Sequence, residues 1–415
     1  MRFGNESLKE HVQRGVRRLG WSIHDAALHE EVEGPALVAK DDVYLSPRAL
    51  RSLKKTIRAA LGEQKLRLRL PASRMMDLTL PLQKVHQTKE GTFFDVAFVP
   101  AGQKATPEEL FSSHETALDL PNKELLVDVK QPRFILQQES NVLQFPFSTT
   151  LVMQVRHWVH ALRLSHLLPQ ILLLEKALSQ PFRSALKALA AIRPSKDTSI
   201  AQLKRRFVFR GKNVVIHPSA VVEASVIGNN VRIGPHASVI DSVIGDDVII
   251  EDRVHVFQSV LGKSSFLSRN SSMSACLIMG NTDACANGIQ ACVVDEEVGL
   301  TSFARPLDLS LVGQVKVKDD DQLVDSGELP CGVFFSRGSF IGGGVTIGAG
   351  RVVPPNLSLI AGPETVFRNF PSIEDCKEKD SHTWTLSGGR LSPVTLPNSS
   401  PASLKRSHDV SSKEK

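Results

Sequence analysis

The sequence predicts a mainly β protein built around a parallel β-helix, and three observations carry that expectation. "SVIG" begins at Ser225 and again at Ser242, and "SVLG" begins at Ser259, an interval of seventeen residues each time. A period that short is one supersecondary unit restated. Within each unit aliphatic residues fall at Ile227, Ile233 and Val239, then Ile244, Ile250 and Val256, then Leu261, Leu267 and Met273, with Ile278 next, in steps of six, six and five. Three short strands per turn, each sending one aliphatic side chain inward, satisfy that spacing. Stacked turns then pair strand on strand at about 4.8 Å and bury a column that no single turn could bury alone. Finally, Asn229 with Asn230, Asp246 with Asp247, and Pro235 fall between the inward residues, where corners must lie and where Asn and Asp tolerate left-handed backbone angles.

The other elements follow in order. Residues 1–140 mix strand-like runs ("GPALVA", "TFFDVAFV", "KELLVDV") with helical segments, as a small α/β domain does. In "GPALVAKDDVYLSPRALRSLKK" a buried strand, Ala36 to Ala39, leads to an acidic turn at Asp41 and Asp42 and a helix opened by Ser46 and Pro47. That helix is amphipathic, with Leu50, Leu53, Ile57 and Leu61 on one stripe and Arg48, Arg51, Lys55 and Arg58 on another, which reads as a solvated face before an anion-binding one. Residues 141–195 read as a helical connector interrupted by Pro169 and Pro181. His157 and His160 lie three apart there with no third ligand, so packing is expected and no metal.

Residues 214–363 carry the β-helix. Val231, Ala237, Val248, Val254 and Ser265, four places after an aliphatic residue, suit the space a corner leaves. The clean step is lost between about Gly280 and Cys331, where a loop is expected near Asp319, and returns at Ile341, Ile347, Val353 and Leu359. Residues 364–415, ending "SLKRSHDVSSKEK", read as a disordered tail.

Composition bounds the function. A net charge of +6 over 415 residues makes no case for nucleic acid, although it suits acidic small molecules. Five cysteines with no CxxC pair indicate a reducing compartment without a zinc site. No apolar run suits a secretory signal, and the most apolar stretch, "LRLSHLLPQILLLEKAL", is too broken by charge and proline to span a membrane. A cytoplasmic location is expected.

"IGNNVRIGPHAS" and "IGAGRVV" resemble the hexapeptide repeat of the left-handed parallel β-helix transferases, the trimeric acyltransferase-like superfamily. The resemblance implies the left hand, where general experience with parallel crossovers expects the right. It also implies a homotrimer, with Val226, Val243 and Val260 stacked as an apolar interface line, and an acyl donor such as acetyl-CoA. In the resembling enzymes a histidine base takes a proton from the acceptor, so His255 and His217 are the catalytic candidates, ahead of His236 in a corner. Gly348 and Gly350, with Gly342, Gly343 and Gly344 near them, are candidates for close approach of the donor's pantetheine arm, or are corner glycines only.

The strand and acidic turn at Asp41 and Asp42 are similar to sugar-phosphate nucleotidyltransferases, in which an aspartate holds magnesium. The Gly-rich loop that wraps the triphosphate in those enzymes has no counterpart in "MRFGNESLKEHVQRGVRRLGWSIHDA", so the domain reads as degenerate. The expected function is acyl or sugar-nucleotide transfer in cell-envelope polysaccharide biosynthesis. The alternative is a non-catalytic scaffold or regulatory protein that kept the coils.

Overall fold

The structure, a computed structural model, describes residues 2–3, 5–59, 64–112, 116–130, 142–181, 184, 207–310, 313–362, 384–387 and 390–393. The chain divides into two units, Met1–Leu359 and Ile360–Lys415. In the second, Trp384–Ser387 pairs antiparallel with Arg390–Pro393. The rest of the tail lies outside the described residues.

The β-helix occupies the C-terminal part of the first unit. Strands seventeen residues apart pair in parallel, as Val226–Ile227 does with Val243–Ile244 and that pair with Val260–Leu261. The stack has three faces. One carries eight strands from Phe209–Arg210 to Val352–Val353, and a second carries eight from Val215–Ile216 to Ser358–Leu359. The third has five, from Val221–Glu223 to Asn287–Gln290, with Arg305–Pro306 and Thr346–Ile347 pairing beyond them. Ile227, Ile233, Val239, Ile244, Ile250 and Val256 fill the interior, and Val231, Ala237, Val248 and Val254 fill it beside the corners.

Each letter of the repeat has its own work. The serines form a buried ladder: Ser242 N donates to Ser225 Oγ at 3.1 Å, Ser259 N to Ser242 Oγ at 3.2 Å, and Cys276 N to Ser259 Oγ at 3.1 Å. Each hydroxyl donates in turn to the carbonyl two residues back, so both of its roles are used inside the wall. The isoleucines fill the core, and the valines point out of the prism. Glycine is required because the next coil stands too close: a Cβ on Gly262 would sit 2.0 Å from the Met279 carbonyl oxygen.

A second ladder runs up the following corner. Lys212 N donates to Asn229 Oδ1 at 2.8 Å and Asn229 N to Asp246 Oδ1 at 2.6 Å. The next rung would be Lys263, which has no acceptor. Asn5, from the N-terminal arm, takes its place and accepts Asp246 N at 2.7 Å.

Coils continue through the irregular stretch, with Leu277–Ile278 pairing Val293–Val294 and a bulge at Ser272–Asn287. The chain then leaves the stack and returns at Phe334–Phe335. The loop expected near Asp319 is a hairpin, Lys316–Asp319 with Gln322–Asp325. It is tied down by Lys84 to Asp320 (2.9 Å) and by His157 Nε2 to the Lys318 carbonyl (3.1 Å).

The N-terminal part has helices α1 (Leu8–Arg18), α2 (Pro47–Ala59), α3 (Arg74–Thr79) and α4 (Pro107–Ser112) around a sheet ordered Ala117–Asp119, Leu66–Leu70, Gly91–Val99, Ala36–Ala39. Helix α1 opens on a capping box made by Ser7 and Glu10. In α2, Leu50 and Leu53 are buried and Ile57 packs against the same cluster, while Leu61 lies outside the described residues. Ala36–Ala39 is a half-buried edge strand, where a fully buried one was expected.

The connector differs more. Val142–Phe147 is a strand paired with Leu125–Lys130, its Leu-Gln-Phe-Pro-Phe run suiting extended backbone. Trp158–Ser179 is one helix, α5, that runs through Pro169. The ring removes one backbone bond, but burial of Leu164, Leu167, Leu168 and Ile171 outweighs that loss.

Helix α5 lies along the first face. Trp158 stacks on Phe334 at 6.1 Å, and at the other end Ala177 packs with Phe209 and Val226. The lengths match: the nineteen steps from Trp158 to Ala177 at about 1.5 Å rise cover about 28 Å, and six coil steps at about 4.8 Å cover about 29 Å. Val243, Val260, Leu277 and Val293 are buried against Leu164, Leu168 and Ile171. The line Val226, Val243, Val260 therefore meets the chain's own helix. It is not free to meet other copies, which corrects the expected interface.

Candidate functional site

His255 opens the strand His255–Phe257 on the third face, which α5 does not cover. Alternation along His255–Phe257 sends Val256 into the core and His255 and Phe257 outward. The period places Ser238 beside His255 in one neighbouring coil and Ser272 in the other. His255 Nδ1 lies 2.6 Å from Ser238 Oγ, and the ring stacks on Phe257 at 6.3 Å with 10° between planes. Among the described residues no hydrogen bond reaches Nε2. The half-buried Ile240 and the exposed Phe257 make an apolar strip next to the Ser238, His255, Ser272 column.

His217 is not part of this arrangement. It sits exposed at a corner two coils away, where Nδ1 accepts Ser219 N at 3.2 Å and lies 2.8 Å from Ser219 Oγ, closing a turn. His236 is a second corner residue, with φ of 56°.

The glycines lie at the far end of the stack. From the His255 strand to Thr346–Ile347 is four coil steps, about 19 Å at the usual strand spacing. At Gly350 the room a ligand would use is taken by the excursion, since a Cβ there would meet the Lys316 carbonyl oxygen at 2.4 Å. Gly348 is open, with Arg351 Cγ as its nearest neighbour at 3.8 Å. Gly343 faces the Ser302 carbonyl oxygen at 2.9 Å, a close approach between coils.

The acidic turn is engaged internally. Asp42 Oδ2 pairs with Arg156 Nε at 2.5 Å, and Arg156 Nη2 also reaches Asp95 Oδ2 at 2.9 Å. Asp95 further holds Lys40 at 2.7 Å and Arg67 at 2.8 Å. Burial pushes the Asp95 carboxyl up, but the hydrogen bond and charge of Lys40, helped by Arg67, bring it below its ordinary value. Asp41 is exposed. Asp42 and Asp95 thus close a network joining the sheet to the entry of α5, and they would have to give up those partners to hold a cation.

His157 and His160 shape the start of α5. His157 Nδ1 accepts Val159 N at 3.2 Å, while His160 Nδ1 accepts the backbone N–H groups of Arg156 and His157 at 3.2 and 3.1 Å. Burial, with the charge of Arg163 beside it, lowers His160 to about 3, so the ring is neutral.

Sequence reading missed Ser238 as the partner of His255, although the signal was present: position 238 is one period before 255 and so must lie next to it. It also missed a cleft of about 580 Å³ lined by Asn5, Glu10, Arg14, Arg17 and Arg18, for which Arg-x-x-Arg-Arg on a helix was the cue.

No protein-family profile matches the chain, and no curated protein matches it. Among solved structures, an acetyltransferase of Bacillus cereus is similar at 16% identity over 42% of this chain and 88% of its own, with a TM-score of 0.16. The N-acyltransferase AntD of Bacillus cereus, solved with dTDP-4-amino-4,6-dideoxyglucose and coenzyme A, is similar at 17% identity over 37% of this chain and 79% of its own, with a TM-score of 0.12. At those values neither likeness carries an argument about activity.

Proposed function

We propose that the β-helix is an acyltransferase in which His255 is the base, the donor is a coenzyme A thioester and the acceptor is an amine or a hydroxyl. One observation carries the reading: an imidazole on an uncovered strand, fixed through Nδ1 by Ser238 at 2.6 Å. With Nδ1–H donated to Ser238 Oγ, the Nε2 lone pair faces outward. It takes the proton of the acceptor N–H or O–H as that atom attacks the thioester carbonyl. The C–S bond then breaks, and the thiolate leaves with the proton returned by the imidazolium. Positioned bases of this kind contribute roughly 10²–10⁴ in rate.

A nucleotide sugar is the acceptor class this reading tests first, and a coenzyme A donor suits the cytoplasm. Any homotrimer has the second and third faces to use. Among the described residues no helix is long and apolar enough to cross a membrane.

The test is thiol release from acetyl-CoA with a panel of amino and hydroxyl sugars and their nucleotide derivatives. His255→Ala should lower turnover at least about 100-fold with the fold intact, and Ser238→Ala less, because serine only positions the ring. A second reading, a non-catalytic scaffold, is favoured by the closed space at Gly350. It is the conclusion if no donor or acceptor raises thermal stability, since ligand at 100 times its Kd adds about 2.7 kcal/mol.

A further inference from the structure

We propose that the third face beyond His255 is the acceptor subsite, in which Ser272 and Asn287 bind the hydroxyl groups of a sugar ring and Arg305 binds a phosphoryl group attached to it. The assignment rests on the acyltransferase reading of His255. Two columns of outward side chains run along this face in register. In one, Ser238, His255, Ser272 and Asn287 pair in turn; in the other, Ile240, Phe257, Ser274 and Gln290 do. His255 therefore stands at a boundary. The apolar pair Ile240 and Phe257 flanks it on one side, and four uncharged hydrogen-bonding side chains follow on the other. The next coil on this face brings Arg305, exposed and one place before the buried Pro306, as Ser272 is one place before the buried Met273.

The strand that carries Asn287 is built differently from those before it. Val221–Glu223, Ser238–Ile240, His255–Phe257 and Ser272–Ser274 pair without interruption, whereas Asn287–Gln290 has one residue more and shifts register between Ser272 and Met273. The extra residue is Gly288, whose φ of 136° favours glycine although a Cβ there would meet nothing within 4 Å. The bulge holds Asn287 opposite Ser272, and bulges serve to re-aim side chains beside active sites. On the rest of the prism outward polar groups pair with one another, as Asn229 does with Asp246, Arg269 with Glu251 and Arg337 with Glu297. Among the described residues the side chains of Ser272, Ser274, Asn287 and Gln290 make no hydrogen bond, and Arg305 forms no ion pair. Uncharged hydroxyl and amide groups suit sugar hydroxyls, and the planar guanidinium fork matches phosphoryl oxygens. Three coil steps, about 14 Å, separate His255 from Arg305, and the long arginine side chain covers part of that span. A phosphorylated sugar laid along the column would put its reactive nitrogen or oxygen at Nε2 and its phosphoryl group at the arginine.

The test is equilibrium binding without a donor, so it does not depend on acyl transfer. The full chain is titrated by calorimetry with UDP-glucose, UDP-N-acetylglucosamine, dTDP-glucose and glucose 1-phosphate, and with UDP alone; the first four separate a nucleotide-linked from a free sugar phosphate. Arg305→Gln should weaken the probe that binds by about tenfold or more, and Asn287→Ala by about threefold, with both folds checked by circular dichroism. Asn287→Ala should leave affinity for UDP within about twofold, and Arg232→Gln, which removes a charge from the second face, should do the same for every probe. Three results overturn the assignment: no sugar phosphate binds, Arg232→Gln weakens binding as much as Arg305→Gln, or Asn287→Ala changes affinity for no sugar-bearing probe. The two readings fail separately. If binding follows this pattern while His255→Ala leaves thiol release unchanged, the subsite holds and the base is misassigned; if His255→Ala abolishes release while Arg305→Gln and Asn287→Ala alter neither binding nor KM, the subsite is the part that falls.

Discussion

Val260 and Ile249 are both β-branched or aliphatic residues on flat strands, both pointing out of the prism, in adjacent coils. Val260 is 1% exposed and Ile249 is 43% exposed. Nothing within the repeat separates them. The difference is α5, which covers the first face and leaves the second bare. A period of seventeen therefore tells which side chains leave the core but not which of them reach water, because the cover comes from a segment outside the repeat.

Substitution by aspartate grades that comparison. Ile250→Asp places an unpaired charge in the core and should abolish soluble protein; Val260→Asp places one under α5 and should cost about 3–5 kcal/mol in chemical denaturation. Ile249→Asp should cost less than about 0.5 kcal/mol. If Val260→Asp and Ile249→Asp were equally tolerated, α5 would not lie on the first face. If Ile249→Asp changed the mass measured by light scattering, the second face would be an interface between copies.

Acid should loosen the cover before it loosens the coils. His160 is held neutral near pKa 3 against an unfolded value of 6.5, so between those values the unfolded chain binds the extra proton and stability falls as pH falls. The lone pair that protonation would consume accepts two backbone N–H groups at the start of α5, beside Arg156, His157 and Arg163. Burial lowers His157 as well, in the same direction. From pH 7 to pH 4 the loss should reach a few kcal/mol, at about 1.4 kcal/mol per unit of pKa difference. Tryptophan fluorescence from Trp158 should report it ahead of the far-ultraviolet signal of the coils. A stability independent of pH over that range would mean His160 is not buried against Pro81.

A single-contact test concerns the docking of the N-terminal arm. Asn5→Ala removes the acceptor of Asp246 N and a side-chain hydrogen bond to the Asp246 carboxylate, and should cost about 1–2 kcal/mol. Asn5→Asp, which sets a second carboxylate beside that of Asp246, should not recover it. No change in denaturation midpoint for Asn5→Ala would show that the arm is not docked there.

The coils were legible because their physics is periodic: one strand length, one corner and one inward residue recur, so each unit confirms the last. The excursion was legible as a loss of step near Asp319, but not as a hairpin held by Lys84. Helix α5 was legible as a helix and misread as broken, because proline propensity is local whereas burial of Leu164, Leu168 and Ile171 depends on coils far along the chain. The third-face strip was half legible. His255 was named from the repeat, and its pairing with Ser238 followed from the period and went unread. The network of Asp42, Asp95, Arg156, Lys40 and Arg67 joins four separate stretches of sequence, and no local pattern announces it.

The rung supplied by Asn5 also sets a clock on synthesis. Its partner Asp246 lies 241 positions later, so at roughly 5–20 residues per second the arm leaves the ribosome some tens of seconds before its acceptor site exists. The apolar side of α5 faces the same delay on a shorter scale, emerging well before Val243, Val260 and Leu277. During that interval the helix has no wall to lie on, and Leu164, Leu168 and Ile171 stay open to water until those coils stack.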